Sequence, residues 1–152
     1  MQRTIKTAGE RVMQGKFLEE LNVGQSAELV RTVGEADIVA FAEVTGDNNP
    51  VHLDADYAAK TSFGERIAHG MLSAGYISAV LGTTLPGPGA IYLSQTLRFK
   101  RPVKIGDEVT ARATITEIDE AKARVTFATT CLVNGKPVVE GEATGMVPRK
   151  AA

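Results

Sequence analysis

From Ile91 to Val147 the chain repeats one pattern, a period of two broken at short intervals by turn signals, and this pattern most restricts the folds open to it. Leu93, Gln95, Leu97 and Phe99 alternate with Tyr92, Ser94, Thr96 and Arg98. Val109, Ala111, Ala113 and Ile115 alternate with Thr110, Arg112, Thr114 and Thr116, and Val125, Phe127, Thr129 and Cys131 with Arg124, Thr126, Ala128 and Thr130. Successive side chains of a strand point to opposite faces, so each run predicts a strand with one face for a core. Ile105-Gly106-Asp107, Asp119 to Lys122 and Asn134-Gly135 read as turns, the last a strong two-residue hairpin signal, and a closing strand runs from Lys136 to Val147. Ahead of these strands, across the break Leu85 to Ala90 (LPGPGA), lies Gly70 to Gly82 (GMLSAGYISAVLG), apolar or small nearly all round. A helix apolar on every side is a buried one, and Gly75 in its interior marks close approach of another backbone. One buried helix and a run of antiparallel strands predict an α+β domain with the sheet curled over the helix. Such a sheet keeps two open edges, and pairing of two copies edge to edge is the economical way to close them.

A length of 152 residues suits one domain, and 43% hydrophobic with 23% charged residues suits a chain that closes one core. Lys plus Arg number 17 against 18 Asp plus Glu, a formal charge of -1, which gives no global electrostatic reason to expect nucleic acid or an anionic membrane as partner. Cys131 is the single cysteine and lies in an apolar strand pattern, so it reads as a packing residue in a reducing compartment. No apolar run reaches the roughly 20 residues of a membrane span, and a cytoplasmic location is expected. Residues 1–16 are polar and without periodicity and read as a flexible or partner-dependent arm; the domain is expected over residues 17–148.

In the first half, Gln25 to Val33 has strand character, and Gly34-Glu35 opens a helix in which Ile38, Phe41, Ala42 and Thr45 recur at helical spacing. Gly46 reads as the left-handed residue that ends it. Thr45-Gly46-Asp47-Asn48-Asn49-Pro50-Val51-His52 follows, with an acid and an imidazole five residues apart. Five is a poor spacing for one helix face, and Pro50 lacks the amide a helix interior needs, so the stretch reads as a loop. Asp47 then stands just past the negative end of a helix, and Asp54 is a candidate N-cap for a short helix beyond.

Asp47 and His52 on one turn can converge on a single water molecule, which is acid/base equipment. The plain alternative makes Asp47 an Asx-type cap and His52 a polar residue tied to backbone. A metal is not expected, because His52 and His69 are the only imidazoles and no cysteine cluster joins them. Ser73 and Ser78 do not sit on a Gly-x-Ser-x-Gly elbow and read as small helix-packing residues. At the start of the buried helix, the Gly70 N–H is suited to hold a carbonyl oxygen as negative charge develops on it, or Gly70 serves helix–sheet packing alone. His69 reads as a structural hydrogen-bonder. A polarised carbonyl and a water handled by Asp and His describe addition of water to a double bond beside that carbonyl.

Gly46-Asp47-x-Asn49-Pro50-x-His52, then Ala68-His69-Gly70-Met71, then Phe99-Lys100-x-Pro102-Val103 and Gly106-Asp107 together resemble the R-specific enoyl-CoA hydratases, the MaoC-like dehydratases, over about Phe17 to Val147. The resemblance implies a hot dog fold, a long helix wrapped by a strongly curved antiparallel sheet, in a homodimer with an acyl-CoA thioester bound near the subunit interface. It implies Asp47 and His52 as the catalytic pair, Gly70 as the oxyanion donor, Asn49 as support for the loop and Ser78 as a residue facing the same site. The implied reaction is reversible syn addition of water to a trans-2-enoyl-CoA, giving an (R)-3-hydroxyacyl-CoA. No cofactor is implied, since CoA comes with the substrate; Lys100, Arg101 and Arg66 are candidate contacts for its phosphates. Two rivals stay open on the same fold: an acyl-CoA thioesterase and a non-catalytic acyl-CoA-binding domain.

Overall fold

The computed structural model describes residues 4–6 and 12–151. Within the arm expected over 1–16, Thr4–Lys6 (β1) and Val12–Gln14 (β2) pair antiparallel. The rest of that expectation, at residues 1–3 and 7–11, lies outside the described residues. A 3-10 turn at Leu18–Glu20 leads into Ser26–Thr32 (β3), followed by Glu35–Thr45 (α1). Two short helices, Pro50–Leu53 (α2) and Ala55–Ala59 (α3), precede the long helix Gly70–Thr83 (α4). Ile91–Gln95 (β4), Arg98–Phe99 (β5), Glu108–Asp119 (β6), Arg124–Val133 (β7) and Lys136–Met146 (β8) complete the chain.

The strands from β3 onward form one antiparallel sheet in the order β3-β6-β7-β8-β4, with β5 also paired to β8. The hairpin expected at Asn134-Gly135 joins β7 to β8, and both residues take positive φ (50° and 75°), as a turn matched to strand twist requires. Register shifts at Ile115/Glu117 and Cys131/Leu132 add bulges, which bend strands and deepen twist. The curved face receives α4, which packs on β3, β6, β7 and β8. As the alternation predicts, Val109, Ala111, Ala113 and Ile115 on β6 and Val125, Phe127, Thr129 and Cys131 on β7 are buried under the helix, against Ile77 and Val80. Cys131 donates its thiol to the Ser73 carbonyl (3.4 Å), and burial pushes its pKa up to about 12, which leaves it an inert packing group.

Two expectations need correction. α4 is not buried all round: Ser73, Ala74, Tyr76, Ile77, Val80 and Leu81 are buried, but Met71, Gly75, Ser78 and Gly82 form an exposed stripe, and nothing lies within 4 Å of a Cβ built on Gly75 or Gly82. The small residues that look like core glycines in sequence therefore face outward in a single chain. The strand pattern from Ile91 to Phe99 is also interrupted, between β4 and β5. β4 is an edge, and Ile91, Tyr92 and Leu93 stay 56%, 42% and 43% exposed, so alternation there does not mark a core face within one chain. Among the described residues no helix is long and apolar enough to cross a membrane.

Candidate active site

α1 stops where expected, at Gly46 (φ 81°), whose N–H donates to the Ala42 carbonyl. Beyond it, each polar side chain shapes the next step of the backbone. The Asp47 N–H donates to Thr45 Oγ1 (3.2 Å), the Asn49 N–H to Asp47 Oδ1 (3.3 Å) and the Val51 N–H to Asn49 Oδ1 (3.2 Å). The stretch is not loop throughout, as its proline suggested: α2 begins at Pro50 and carries His52. Proline is well placed at the first helical position, where its missing amide would have had no intrahelical partner, and Asn49 caps the turn. Asp54 then caps α3, accepting from the Asp56 and Tyr57 amides.

The residues that gather this turn into a site lie on the strut Ile67–Gly70. Ile67 pairs with Lys104 in an isolated bridge, and the Ala68 N–H donates to the Val103 carbonyl (2.7 Å), so the strut is anchored to the chain between β5 and β6. His52, 8% exposed, places Nδ1 2.7 Å from the Ile67 carbonyl. A carbonyl carries no proton, so Nδ1 donates, and in the neutral ring Nε2 keeps the lone pair. His69, 2% exposed, places Nε2 2.9 Å from the Asp47 backbone carbonyl and donates to it. The His69 ring stacks on His52 (centroids 3.8 Å, planes 28° apart) and tilts against Phe41 (4.6 Å). A carboxylate oxygen of Asp47 and one ring nitrogen of each histidine all lie within 4.8 Å of one another. Asp47 is exposed, so this cluster is open to water.

Gly70 follows His69 directly and opens α4, where its amide has no acceptor inside the helix. A Cβ at this position would fall 2.6 Å from the Phe99 ring, so glycine serves close packing here while its N–H points out of the helix end. A cavity of about 440 Å³ lies alongside, bordered by Ile67, Gly70, Phe63, Phe99, Lys100 and Arg101. Asp47 and His52 do not line it; cavity and polar cluster meet at the strut. Arg101 already donates to the Pro137 carbonyl through Nη1 (2.6 Å), and Lys100 stands 3.9 Å from Glu140. Arg66, the third candidate for a phosphate, does not line this cavity. Its Nε donates to the His52 carbonyl (2.7 Å) and its Nη1 to both oxygens of Glu35 (2.9 Å each), so it ties α2 to the start of α1. Ser78 is likewise separated from Gly70 by two turns of α4. It borders a second cavity of about 230 Å³ with Leu81, Gly82, Ile91, Tyr92 and Phe127.

The comparisons agree with this architecture. The model of the MaoC like domain matches residues 17–136. The chain belongs to the MaoC-like dehydratase family. This MaoC-like chain is 59% identical to an (R)-specific enoyl-CoA hydratase of Rhodospirillum rubrum, over 88% of this chain and 93% of that one. It is 50% identical to a 3-hydroxybutyryl-CoA dehydratase of Methylorubrum extorquens, over 88% and 85% of the two chains. The solved structure of the R-hydratase PhaJ1 from Pseudomonas aeruginosa superposes with a TM-score of 0.86 at 53% identity, covering 91% of this chain and 89% of that one. The fold is the hot dog fold, α4 being the helix inside the curved sheet.

Two features of this MaoC-like site are not read from spacing. One is the double contact of His69, visible in sequence only as an imidazole placed directly before the helix-opening glycine. The other is the Ile67 carbonyl, a backbone group with no sequence signal at all. Asp47, His52 and His69 also have the donor types of a metal site. Two of their four ring nitrogens, His52 Nδ1 and His69 Nε2, are engaged by carbonyl oxygens, which leaves one nitrogen from each ring for any ion.

Proposed function

We propose that Asp47 and His52 act together on one water molecule while the Gly70 N–H holds the thioester carbonyl of a bound trans-2-enoyl-CoA. The enzyme is a hydro-lyase: it adds water reversibly across the double bond to give an (R)-3-hydroxyacyl-CoA. In the forward direction the water oxygen bonds to the β carbon and a proton is delivered to the α carbon. The negative charge that passes through the thioester oxygen is met by an amide at the positive end of α4. His52 Nε2 is the basic ring nitrogen, because Nδ1 is held by Ile67, and the Asp47 carboxylate is close enough to share the same water.

One observation carries this reading: the four residues Ile67–Gly70 contact His52 through a carbonyl, contact Asp47 through an imidazole, and end in the free amide of Gly70. Asn49 supports the turn through its cap on Val51. Lys100 and Arg101, at the rim of the cavity beside Gly70, are our candidates for the phosphates of CoA. No metal or organic cofactor takes part. The exposed stripe of α4 and the open edge of β4 support a homodimer, in which a second copy covers Met71, Gly75 and Ile91–Leu93 and closes the cavity at Ser78. A cytoplasmic location accords with the single buried thiol.

The test is incubation with a trans-2-enoyl-CoA, followed by chiral analysis of the product. Loss of the conjugated chromophore with an R product and no free thiol is expected. Release of thiol at the same rate would replace hydration with thioester hydrolysis, and an S product would overturn the assigned geometry.

A further inference from the structure

We propose that His69 is a positioning residue for the hydration reaction, setting Asp47 and His52 relative to each other and to the helix that begins at Gly70. The inference rests on Asp47 and His52 being the proton-handling pair. The turn that carries Asp47 is shaped by contacts within itself: Asp47 to Thr45, Asn48 to Gly46, Asn49 to Asp47 and Val51 to Asn49, each spanning two residues. Such bonds define the shape of a turn but cannot dock it against another element. Among the described hydrogen bonds of residues 46–49, the one from His69 Nε2 to the Asp47 carbonyl reaches across the fold, spanning 22 positions of sequence.

The second contact is the ring face of His69 against His52, at 3.8 Å between centroids. One side chain therefore touches the backbone of one partner and the ring of the other, and its own carbon skeleton is continuous with Gly70. Packing alone does not account for an imidazole here. His69 Nδ1 is buried and meets no donor among the described residues. A phenyl ring would fill the space beside Phe41 and His52 without leaving a buried acceptor unpaired. What the phenyl ring lacks is the Nε2–H, and that donor goes to Asp47.

The separating experiment compares His69→Phe with His69→Gln. Phenylalanine keeps the ring contacts and removes the donor; glutamine removes the ring but carries an amide N–H to about the place of Nε2. His69→Phe is expected to melt at or above the parent temperature and to lose about 100-fold in kcat, the order reached by a displacement of about 1 Å in reacting groups, with KM almost unchanged. His69→Gln is expected to recover kcat to within about tenfold of the parent. A merely structural role would give the opposite: lower stability in both variants and a normal kcat in the folded fraction. Near-parental kcat in His69→Phe overturns the proposal, as does an equal loss in both variants.

A readout on the unmodified enzyme guards against variants that do not fold. The chain has two histidines, so ¹H–¹⁵N correlation of the imidazoles resolves both. His69 is expected as the Nε2–H tautomer and His52 as the Nδ1–H tautomer; an Nδ1–H tautomer at His69 overturns the proposal whatever the variants do. Failure of the hydratase reading is seen separately, as absence of hydration by the parent protein.

Discussion

Asp47→Asn isolates proton transfer from everything else the side chain does. The Asp47 carboxylate makes two kinds of contact: Oδ1 accepts from the Asn49 N–H, and an oxygen of the same group stands within 4.8 Å of a ring nitrogen of each histidine. Asparagine keeps an Oδ1 in the same place, so the Asn49 bond and the turn survive, and the His69 bond survives because it is to backbone. Only the capacity to take up a proton is lost. A positioned acid or base is worth about 10²–10⁴ in rate, so kcat should fall by that factor, an increase of about 2.7–5.4 kcal/mol in barrier. The assay is the decay of enoyl thioester absorbance, with circular dichroism and size-exclusion profiles matched to the parent. A rate within tenfold of the parent would remove Asp47 from the chemistry.

The partner variant, His52→Gln, sharpens the test. If both groups serve one water, removing either leaves the other with nothing to complete, and the double variant should be about as slow as the slower single. Losses that multiply instead would mean that the two residues assist separate steps on separate atoms, which refutes the shared water even if each residue matters. The short separation within the cluster and the common strut make the first outcome the expected one.

Arg66→Met should destabilise the fold by about 2 kcal/mol in urea melts, through loss of the charged bond to the His52 carbonyl, while leaving KM for enoyl-CoA unchanged; the exposed Glu35 adds little. Lys100→Ala and Arg101→Ala should do the reverse, raising KM with stability nearly intact, and a larger KM effect from Arg66→Met would restore it as a phosphate contact. At alkaline pH, the buried thiol of Cys131 should produce a steep loss of stability. Below pH 9 the thiol is protonated in both states. Between its ordinary value of 9.0 and about 12 only the unfolded chain ionises, which costs about 1.4 kcal/mol per pH unit. Tyr76 and Tyr92, both raised by burial, act with the same sign. Cys131→Val should flatten that limb in melts run from pH 8 to 11; an unchanged slope would refute the assignment. Exhaustive chelation should leave turnover unchanged, and loss of activity restored by a divalent ion would convert the Asp47, His52 and His69 cluster into a metal site.

A residue's role is legible in the sequence when it is local. Gly46, Asp54, Asn134 and Gly135 act on the backbone within a few positions of themselves, and all four do what their types predict. The alternation of β6 and β7 is equally legible, because both strands are interior to the sheet and one face has a helix over it. Where the alternation misleads is β4, an edge strand whose apolar residues have no cover within the chain, and the same cause misleads at α4, where Gly75 and Gly82 face open space. An apolar residue left uncovered on an edge strand looks, in sequence, like one that belongs to the core, since residue type does not record what lies over it. Pro50 misleads differently: it bars a helix interior but suits a helix start, and only the cap on Asn49 decides between them. The site lies between these cases. Asp47 and His52 are legible as a candidate pair because they stand five residues apart, but the strut that contacts them does so through the Ile67 carbonyl and the His69 ring. A backbone oxygen leaves no mark in the residue types, and a histidine's partner is not written beside it. For that reason the tie of Arg66 to His52 and Glu35 is not legible in sequence, and His69, which reads as a structural hydrogen-bonder, gives no sign that it touches both Asp47 and His52.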